Sequence, residues 1–315
     1  MGVRGRIGVG ERGPDFVLKG PSGESARFYA HAGGSPIALV FGRDGAGTRM
    51  AELTDLLAGR GDVVVTSVDE PSAAEAYGVD AEQQTVVVLD PDLRVLGVVT
   101  DDQRSAEVVT LLEAGIHRGP DTEVRDQAPV LFIPRVLDAQ QQDRLIDLAE
   151  REGDVETGVE RFSEGSRREV LDAGYKRRRD HTVRDRDLLG ELSSVVGRRV
   201  MPEVRKAFAF RATRFEGFKI ACYDATTGGF FRAHRDNLTP STAHRVFALT
   251  LNLNDAYEGG QLRFPEYGNQ LYRPDAGAAL VFSCAHLHEV RDVTAGRRFV
   301  LLSFLYGEPA PSAAR

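Results

Sequence analysis

The first 118 residues alternate short β-branched runs with stretches of helical spacing. Pro36–Phe41, Asp62–Ser67, Thr85–Leu89 and Val95–Val99 predict strands, being apolar runs of strand length bounded by turn residues. Met50, Leu53, Leu56 and Leu57 recur at helical intervals between Thr48 and Ala58, with Gly59 placed to end that helix. Val108, Leu111 and Leu112 repeat the pattern between Ser105 and Ala114, ahead of Gly115. Asp90-Pro91-Asp92 predicts a turn that joins the third and fourth strands as antiparallel neighbours.

A polar, Gly/Pro-bearing break at Arg118-Gly119-Pro120-Asp121-Thr122 predicts a linker over about 118–127, and so two domains, 1–120 and 121–315. Beyond it, Val130–Ile133 predicts a short strand. Asp138 with Gln141 three residues on predicts a capping box in front of the stripe Leu145, Ile146, Leu148, Ala149. A second helix is predicted from near Asp187 to Val204. From Phe218 the period changes to two, with turns at Gly228-Gly229, Gly259-Gly260 and Ala295-Gly296, which predicts a sandwich or barrel of short strands.

That alternation separates two faces. Phe247, Leu249, Leu251 and Leu253 make one apolar row, while Val246, Ala248, Thr250, Asn252 and Asn254 make a row of small and polar groups. Phe218, Ile220 and Cys222 likewise oppose Lys219, Ala221 and Tyr223. The polar rows suit either a lumen holding a charged ligand or a sheet with one solvated face, and spacing alone leaves both open.

Composition narrows the class. With 42% hydrophobic and 28% charged residues the chain reads as globular. Its formal charge of -7 argues against a nucleic-acid partner, and no apolar run reaches membrane length. The basic start Met1–Arg6 has no apolar segment behind it, so a secretory signal is not expected. Cys222 and Cys284 are the two cysteines; they form no disulfide framework and suit a reducing cytoplasm.

The candidate chemistry lies in His234-Arg235-Asp236, followed by His288 and then Arg298. A histidine and a carboxylate two residues apart on an extended segment project to one side, and a distant histidine can complete a facial set of three ligands for Fe(II). His286 shares a strand face with His288, so spacing leaves either as the distal ligand. Arg298 falls in line with Val300, Leu302 and Phe304, and Arg297 on the opposite, solvated side. Lys176-Arg177-Arg178-Arg179 reads as a solvated charged face, or as an entrance patch for an acidic or carboxylate-bearing substrate. Phe230, Phe231 and Arg263 suit the mouth of a site, and the aromatic pair equally a core.

Three ordered motifs carry a resemblance across about residues 128–307. They are Gly229-Phe230-Phe231-Arg232-Ala233-His234-Arg235-Asp236-Asn237, Tyr257-Glu258-Gly259-Gly260-Gln261-Leu262-Arg263-Phe264-Pro265, and His288-Glu289-Val290 continuing through Val293-Thr294-Ala295-Gly296-Arg297-Arg298. Together they resemble the 2-oxoglutarate/Fe(II)-dependent dioxygenases of the prolyl 4-hydroxylase type. The resemblance implies a double-stranded β-helix, or jelly roll, with flanking helices. It implies His234, Asp236 and His288 as iron ligands, and Arg298 as the anchor for the distal carboxylate of 2-oxoglutarate. Tyr223, Asn252 and Leu262 are implied as further cosubstrate contacts, although Asn252 stands where the family often has tyrosine. It favours His288 over His286. The implied reaction consumes O2 and 2-oxoglutarate, with ascorbate as an accessory reductant, and releases succinate and CO2. It hydroxylates a prolyl residue in a peptide or protein, or an amino-acid-like molecule; Asp236, where related halogenases carry a small residue, favours hydroxylation. Two other readings of the same ligands are a binding or scaffold protein with a degenerate oxygenase domain and a Zn-dependent hydrolase.

Residues 8–117 resemble the peroxiredoxin branch of the thioredoxin-like α/β fold. The resemblance rests on Gly10-Glu11-Arg12-Gly13-Pro14-Asp15-Phe16, on Ala76-Tyr77-Gly78-Val79 and on the run from Thr85 to Val99. Where that family carries its catalytic cysteine this chain has Arg43-Asp44-Gly45-Ala46-Gly47-Thr48-Arg49-Met50, so no thiolate chemistry is expected. Packing, homodimerisation or substrate presentation are the roles left to this domain.

Overall fold

The computed structural model describes residues 6–19, 25–42, 46–80, 83–100, 104–116, 123–163 and 166–309. The chain divides into two compact units, Met1–Thr122 and Glu123–Arg315. Arg43–Gly45, the start of the segment that stands where the peroxiredoxin branch carries its cysteine, and residues 118–122 of the expected linker lie outside the described residues.

In the first unit a four-stranded sheet runs in the order Val64–Val68, Ile37–Phe41, Thr85–Leu89, Val95–Val99. The first pair is parallel and the others antiparallel. The predicted turn is present: the Asp90 carboxylate accepts from the Asp92 and Arg94 amides, and Leu93 takes a φ of 63°. Both faces are covered, as continuous apolar runs require. Ile37, Leu39 and Phe41 pack with Tyr77, while Ala38 and Val40 pack with Leu53, Val108 and Leu112. Tyr77 belongs to a helix, Pro71–Tyr77, that periodicity does not reveal because it is only seven residues long. Its punctuation is nonetheless written in the sequence: Pro71 at the start, and Gly78 in the left-handed conformation at the end.

In the second unit all strand pairs are antiparallel. The large sheet runs Leu131–Ile133, Ala279–Ser283, Phe247–Asn252, Val293–Pro309, Lys219–Asp224, Arg179–Thr182, Val155–Glu156. The smaller sheet runs Lys176–Arg177, Phe230–His234, His288–Val290, Leu262–Arg263, Leu271–Tyr272. The architecture is jelly-roll-like, with helices on one outer face.

The alternation read from sequence sorts the side chains into two cores. Leu249, Leu251, Ile220 and Cys222 join Leu145, Leu188, Leu192 and Val195 of the helices. Ala248, Ala221 and Tyr223 face the other way, into a cluster with Leu262, Val290 and Phe282 between the sheets. Phe247–Asn252 is buried along its whole length, so the polar row faces an interior and not solvent. The capping box also forms: the Asp138 carboxylate accepts from the Gln141 amide while the Gln141 side chain accepts from the Asp138 amide, an arrangement contributing about 1 kcal/mol.

The helix predicted over Asp187–Val204 is instead two helices, Arg186–Arg199 and Met201–Phe208. Pro202 explains the break, because it has no N–H to donate and its ring crowds the carbonyl of Arg198. Asp185, two residues earlier than anticipated, is the N-cap that accepts from the Leu188 amide. Among the described residues no helix is long and apolar enough to cross a membrane.

Candidate metal centre

His234 ends the Phe230–His234 strand and His288 begins the His288–Val290 strand directly opposite, in register. Asp236 lies two residues beyond His234, its amide donating to the Cys284 carbonyl at 3.0 Å. One donor atom from each of these three residues lies within 4.8 Å of the others. Asp236 Oδ1 is 3.5 Å from His234 Nε2, and Oδ2 is 3.3 Å from His288 Nε2. With metal–ligand bonds of about 2.1 Å, neighbouring ligands on one ion stand about 3 Å apart, so the spacing fits a shared ion.

The histidines are set up to use Nε2. His234 Nδ1 is 2.8 Å from the Arg232 carbonyl and His288 Nδ1 is 3.0 Å from the His286 carbonyl. A carbonyl only accepts, so each Nδ1 carries the proton and each Nε2 keeps its lone pair for the centre. Phe231 stacks on the His234 ring at 3.5 Å and Phe282 meets the His288 ring edge-on at 4.7 Å, which fixes both planes.

The electrostatics favour a cation here. Burial opposes the charged form of Asp236, yet His288 and His234 outweigh it and hold the carboxyl far below its usual range. Burial and the neighbouring His288 push His234 down. For His288 burial is overcome by Asp236, and the imidazole is pushed up. The centre is one carboxylate that draws positive charge between two imidazoles.

Arg298 occupies the Val293–Pro309 strand in register with Tyr223, and is 2% exposed. Its guanidinium lies 5.5 Å from the Tyr223 ring centre, and its Nε is buried with no hydrogen-bond partner. Among the described residues none offers this guanidinium an ion pair or a hydrogen bond. A buried cation without a counter-charge is costly unless a ligand supplies one. A carboxylate meets that need, bound by parallel N–H groups. Gly260 (φ 67°) makes room for it, since a Cβ there would stand 3.0 Å from Arg298 Cδ and 2.9 Å from Val293 Cγ2.

The other sequence-predicted residues fall as follows. Tyr223 is 2% and Leu262 3% exposed, both in the cluster between the sheets. Asn252 is fully buried in the same layer, but its amide is engaged by the fold: Nδ2 donates to the Asn254 and Pro274 carbonyls, and Oδ1 accepts from the Tyr257 hydroxyl. Asn252 thus anchors Tyr257. His286 stands outside the three-residue cluster, with Nδ1 3.1 Å from the Tyr267 hydroxyl. Arg297 points outward and pairs with Glu150 at 2.6 Å. The Lys176–Arg179 run is not uniformly solvated. Strand alternation buries Lys176, which donates to Thr157 and Gly158, and half-buries Arg178, while Arg177 and Arg179 face out. Phe230 is core, and Phe231 belongs to the centre itself. Burial, with Asp154 nearby, pushes the Cys222 thiol up to about 12, and burial likewise raises Cys284.

Sequence reasoning missed a clamp. Arg235 pairs with Glu266 through both nitrogens, at 2.6 and 3.1 Å, and also donates to the Ala285 carbonyl. Glu266 further accepts from the Leu287 amide at 2.8 Å. The Arg235 hydrogen bond first, then that amide, hold its carboxyl down at about 2. The clamp ties the His234–Asp236 segment to the segment bearing His288. Glu266 follows Pro265 in a turn, and nothing in its spacing announces the contact.

Residues 218–306 match the family model of the 2OG-Fe(II) oxygenase superfamily, so this segment is a 2OG-Fe(II) oxygenase domain; the family uses Fe(II), 2-oxoglutarate and O2. PKHD-type hydroxylases of two Synechococcus strains, JA-2-3B'a(2-13) and JA-3-3Ab, are each 30% identical over 104 residues. That stretch is 31% of this chain, and the chain covers 46% of either relative. Among solved structures, a Pseudomonas putida prolyl-4-hydroxylase is 18% identical, with 57% of this chain and 94% of that one covered and a TM-score of 0.43. A Trichoplax adhaerens prolyl hydroxylase in complex with a hypoxia inducible factor peptide fragment is 17% identical, covering 56% and 83%, with a TM-score of 0.46.

Proposed function

We propose that this chain is an Fe(II)- and 2-oxoglutarate-dependent hydroxylase acting on a prolyl residue in a peptide or protein, or on an amino-acid-like molecule. The observation that carries the reading is the pairing of two features in the second unit. Three ligating groups converge on a point, and the Arg298 guanidinium, buried against Tyr223, has no counter-charge among the described residues. A Zn-dependent hydrolase would use the first feature and leave Arg298 without a purpose.

His234, Asp236 and His288 would hold the iron, and the donor set of two neutral imidazoles and one carboxylate suits Fe(II). Bound iron with 2-oxoglutarate and O2 supplies oxidative decarboxylation to succinate and CO2 coupled to hydroxylation of a C–H bond. The chain's own residues do the rest. Arg298 takes the distal carboxylate and Tyr223 donates to it. Leu262, Val290 and Phe282 keep the lumen dry, which strengthens each charge-assisted contact. Ascorbate would serve as an accessory reductant.

The first unit, in this reading, is a thioredoxin/peroxiredoxin-like domain without redox catalysis that serves homodimerisation or substrate presentation, in a cytoplasmic protein. Supporting this are two buried free thiols, both in the second unit, and no cysteine in the first. Incubation with iron, 2-oxoglutarate and panels of proline-containing peptides and free amino acids tests the function. Succinate release with a matching gain of one oxygen in a panel member is expected. Metal-dependent turnover with zinc and without oxygen uptake would replace the reading with a hydrolase.

A further inference from the structure

A row of side chains crosses the inner face of the large sheet. Arg179 pairs with Cys222 and Cys222 with Phe299; one step along, Tyr223 pairs with Arg298, which leaves Arg178 at the head of that inner row. The Arg178 side chain is 13% exposed. Its guanidinium carbon lies 6.0 Å from the Tyr223 ring centre and 5.7 Å from that of Phe231, the ring stacked on His234. Tyr223 therefore sits between two guanidiniums, Arg178 on one side and Arg298 on the other.

The two arginines differ in charge balance. Arg178 turns one edge to Asp180: Nη2 donates to Oδ2 at 2.8 Å, and Nε lies 2.7 Å from Oδ1 as an ion-pair contact without hydrogen-bond geometry. Asp180 also accepts from the Thr157 hydroxyl, which in turn accepts from Lys176 Nζ, so that edge is held firmly. The other edge is aimed at the phenol: Nη1 donates to the Tyr223 hydroxyl at 3.5 Å, the long end of the range. Arg298 has no such carboxylate among the described residues.

We propose that Arg178 is a positioning residue for the cosubstrate, holding the Tyr223 phenol so that its proton points at the carboxylate gripped by Arg298. A guanidinium can only donate, so the phenol oxygen must accept from Nη1, and its one proton remains for the ligand. Because Asp180 neutralises Arg178, the second guanidinium orients the phenol without competing with Arg298 for the carboxylate. The inference rests on the oxygenase reading.

Calorimetric titration of 2-oxoglutarate into the 315-residue chain loaded with Mn(II), a redox-inert stand-in for iron, tests it without turnover. Arg178→Gln and Tyr223→Phe are each expected to weaken binding about five- to tenfold, the range of one lost hydrogen bond. The double variant should be no weaker than Tyr223→Phe alone, and Mn(II) affinity should be unchanged in all three. Should Arg178→Gln fail to fold with Asp180 uncompensated, Arg178→Met combined with Asp180→Asn removes both charges and is expected to show the same loss. Wild-type affinity in a folded Arg178 variant, or additive losses in the double variant, would overturn the proposal. If wild-type protein binds Mn(II) but no 2-oxoglutarate, the oxygenase reading itself falls; if it binds and the variants match it, only the role of Arg178 falls.

Discussion

Arg298→Met separates a ligand-binding arginine from a structural one, because the two roles predict opposite changes in the metal-free protein. Methionine fills most of the volume and removes the charge. In the folded protein Arg298 is 2% exposed, no described residue neutralises it, and its Nε is unsatisfied. Deleting a buried cation of that kind should leave stability unchanged or raise it by about 1–3 kcal/mol. Binding should move the other way. Removing one partner of a buried, bidentate charge pair costs about 3–5 kcal/mol, and at 1.4 kcal/mol per decade that is a loss of about two to three and a half decades in 2-oxoglutarate affinity. Urea denaturation of the metal-free protein gives the first quantity, and titration of 2-oxoglutarate into the metal-loaded protein gives the second. A variant that is destabilised yet binds 2-oxoglutarate as the wild type does would refute the argument and make Arg298 a fold residue.

Other perturbations check separate parts of the account. His288→Ala should abolish tight Fe(II) binding without unfolding the chain, whereas His286→Ala should leave it intact; equal effects in metal titrations would reopen the choice between them. Gly260→Val should weaken 2-oxoglutarate binding, because a Cβ there stands 3.0 Å from Arg298 Cδ in a backbone that disfavours side chains by about 1–3 kcal/mol; unchanged affinity would show the pocket tolerates the shift. Glu266→Gln should loosen the clamp and weaken metal binding about tenfold, the low end for loss of a group that supports ligands; unchanged metal affinity would show that the clamp does not support them. The Cys222 thiol, raised to about 12 from an ordinary 9.0, should resist alkylation in the folded protein at pH 8. It also makes stability fall as pH climbs from about 9 toward 12, since only the unfolded chain ionises there. Rapid labelling at pH 8 without denaturant would contradict this.

Much of this was legible in the sequence where a period or a cap carried it. The Asp138–Gln141 box, the strands around Ile37 and Thr85, and the two faces of Phe247–Asn252 follow from local rules. His234, Asp236 and His288 could be grouped because strand alternation puts the first two on one side and the motif order supplies the third. What the sequence hid depends on packing between distant segments. Pro202 divides a helix whose apolar spacing runs through the break. Asn252 lies in the lumen layer as its parity demands, but Tyr257 and two carbonyls occupy its amide, which no spacing shows. The Lys176–Arg179 run looked solvated because composition alone says so; alternation, applied to charged residues as to apolar ones, turns Arg178 inward. The Arg235–Glu266 clamp spans 31 positions and leaves no local signal.

A crystal structure of the chain soaked with Fe(II) and 2-oxoglutarate under anaerobic conditions, with anomalous scattering recorded at the iron edge, addresses the main assertion most directly. One iron peak is predicted among His234 Nε2, Asp236 and His288 Nε2, with the distal carboxylate of 2-oxoglutarate on Arg298. Iron elsewhere, or a lumen in which Arg298 meets no carboxylate, would contradict it.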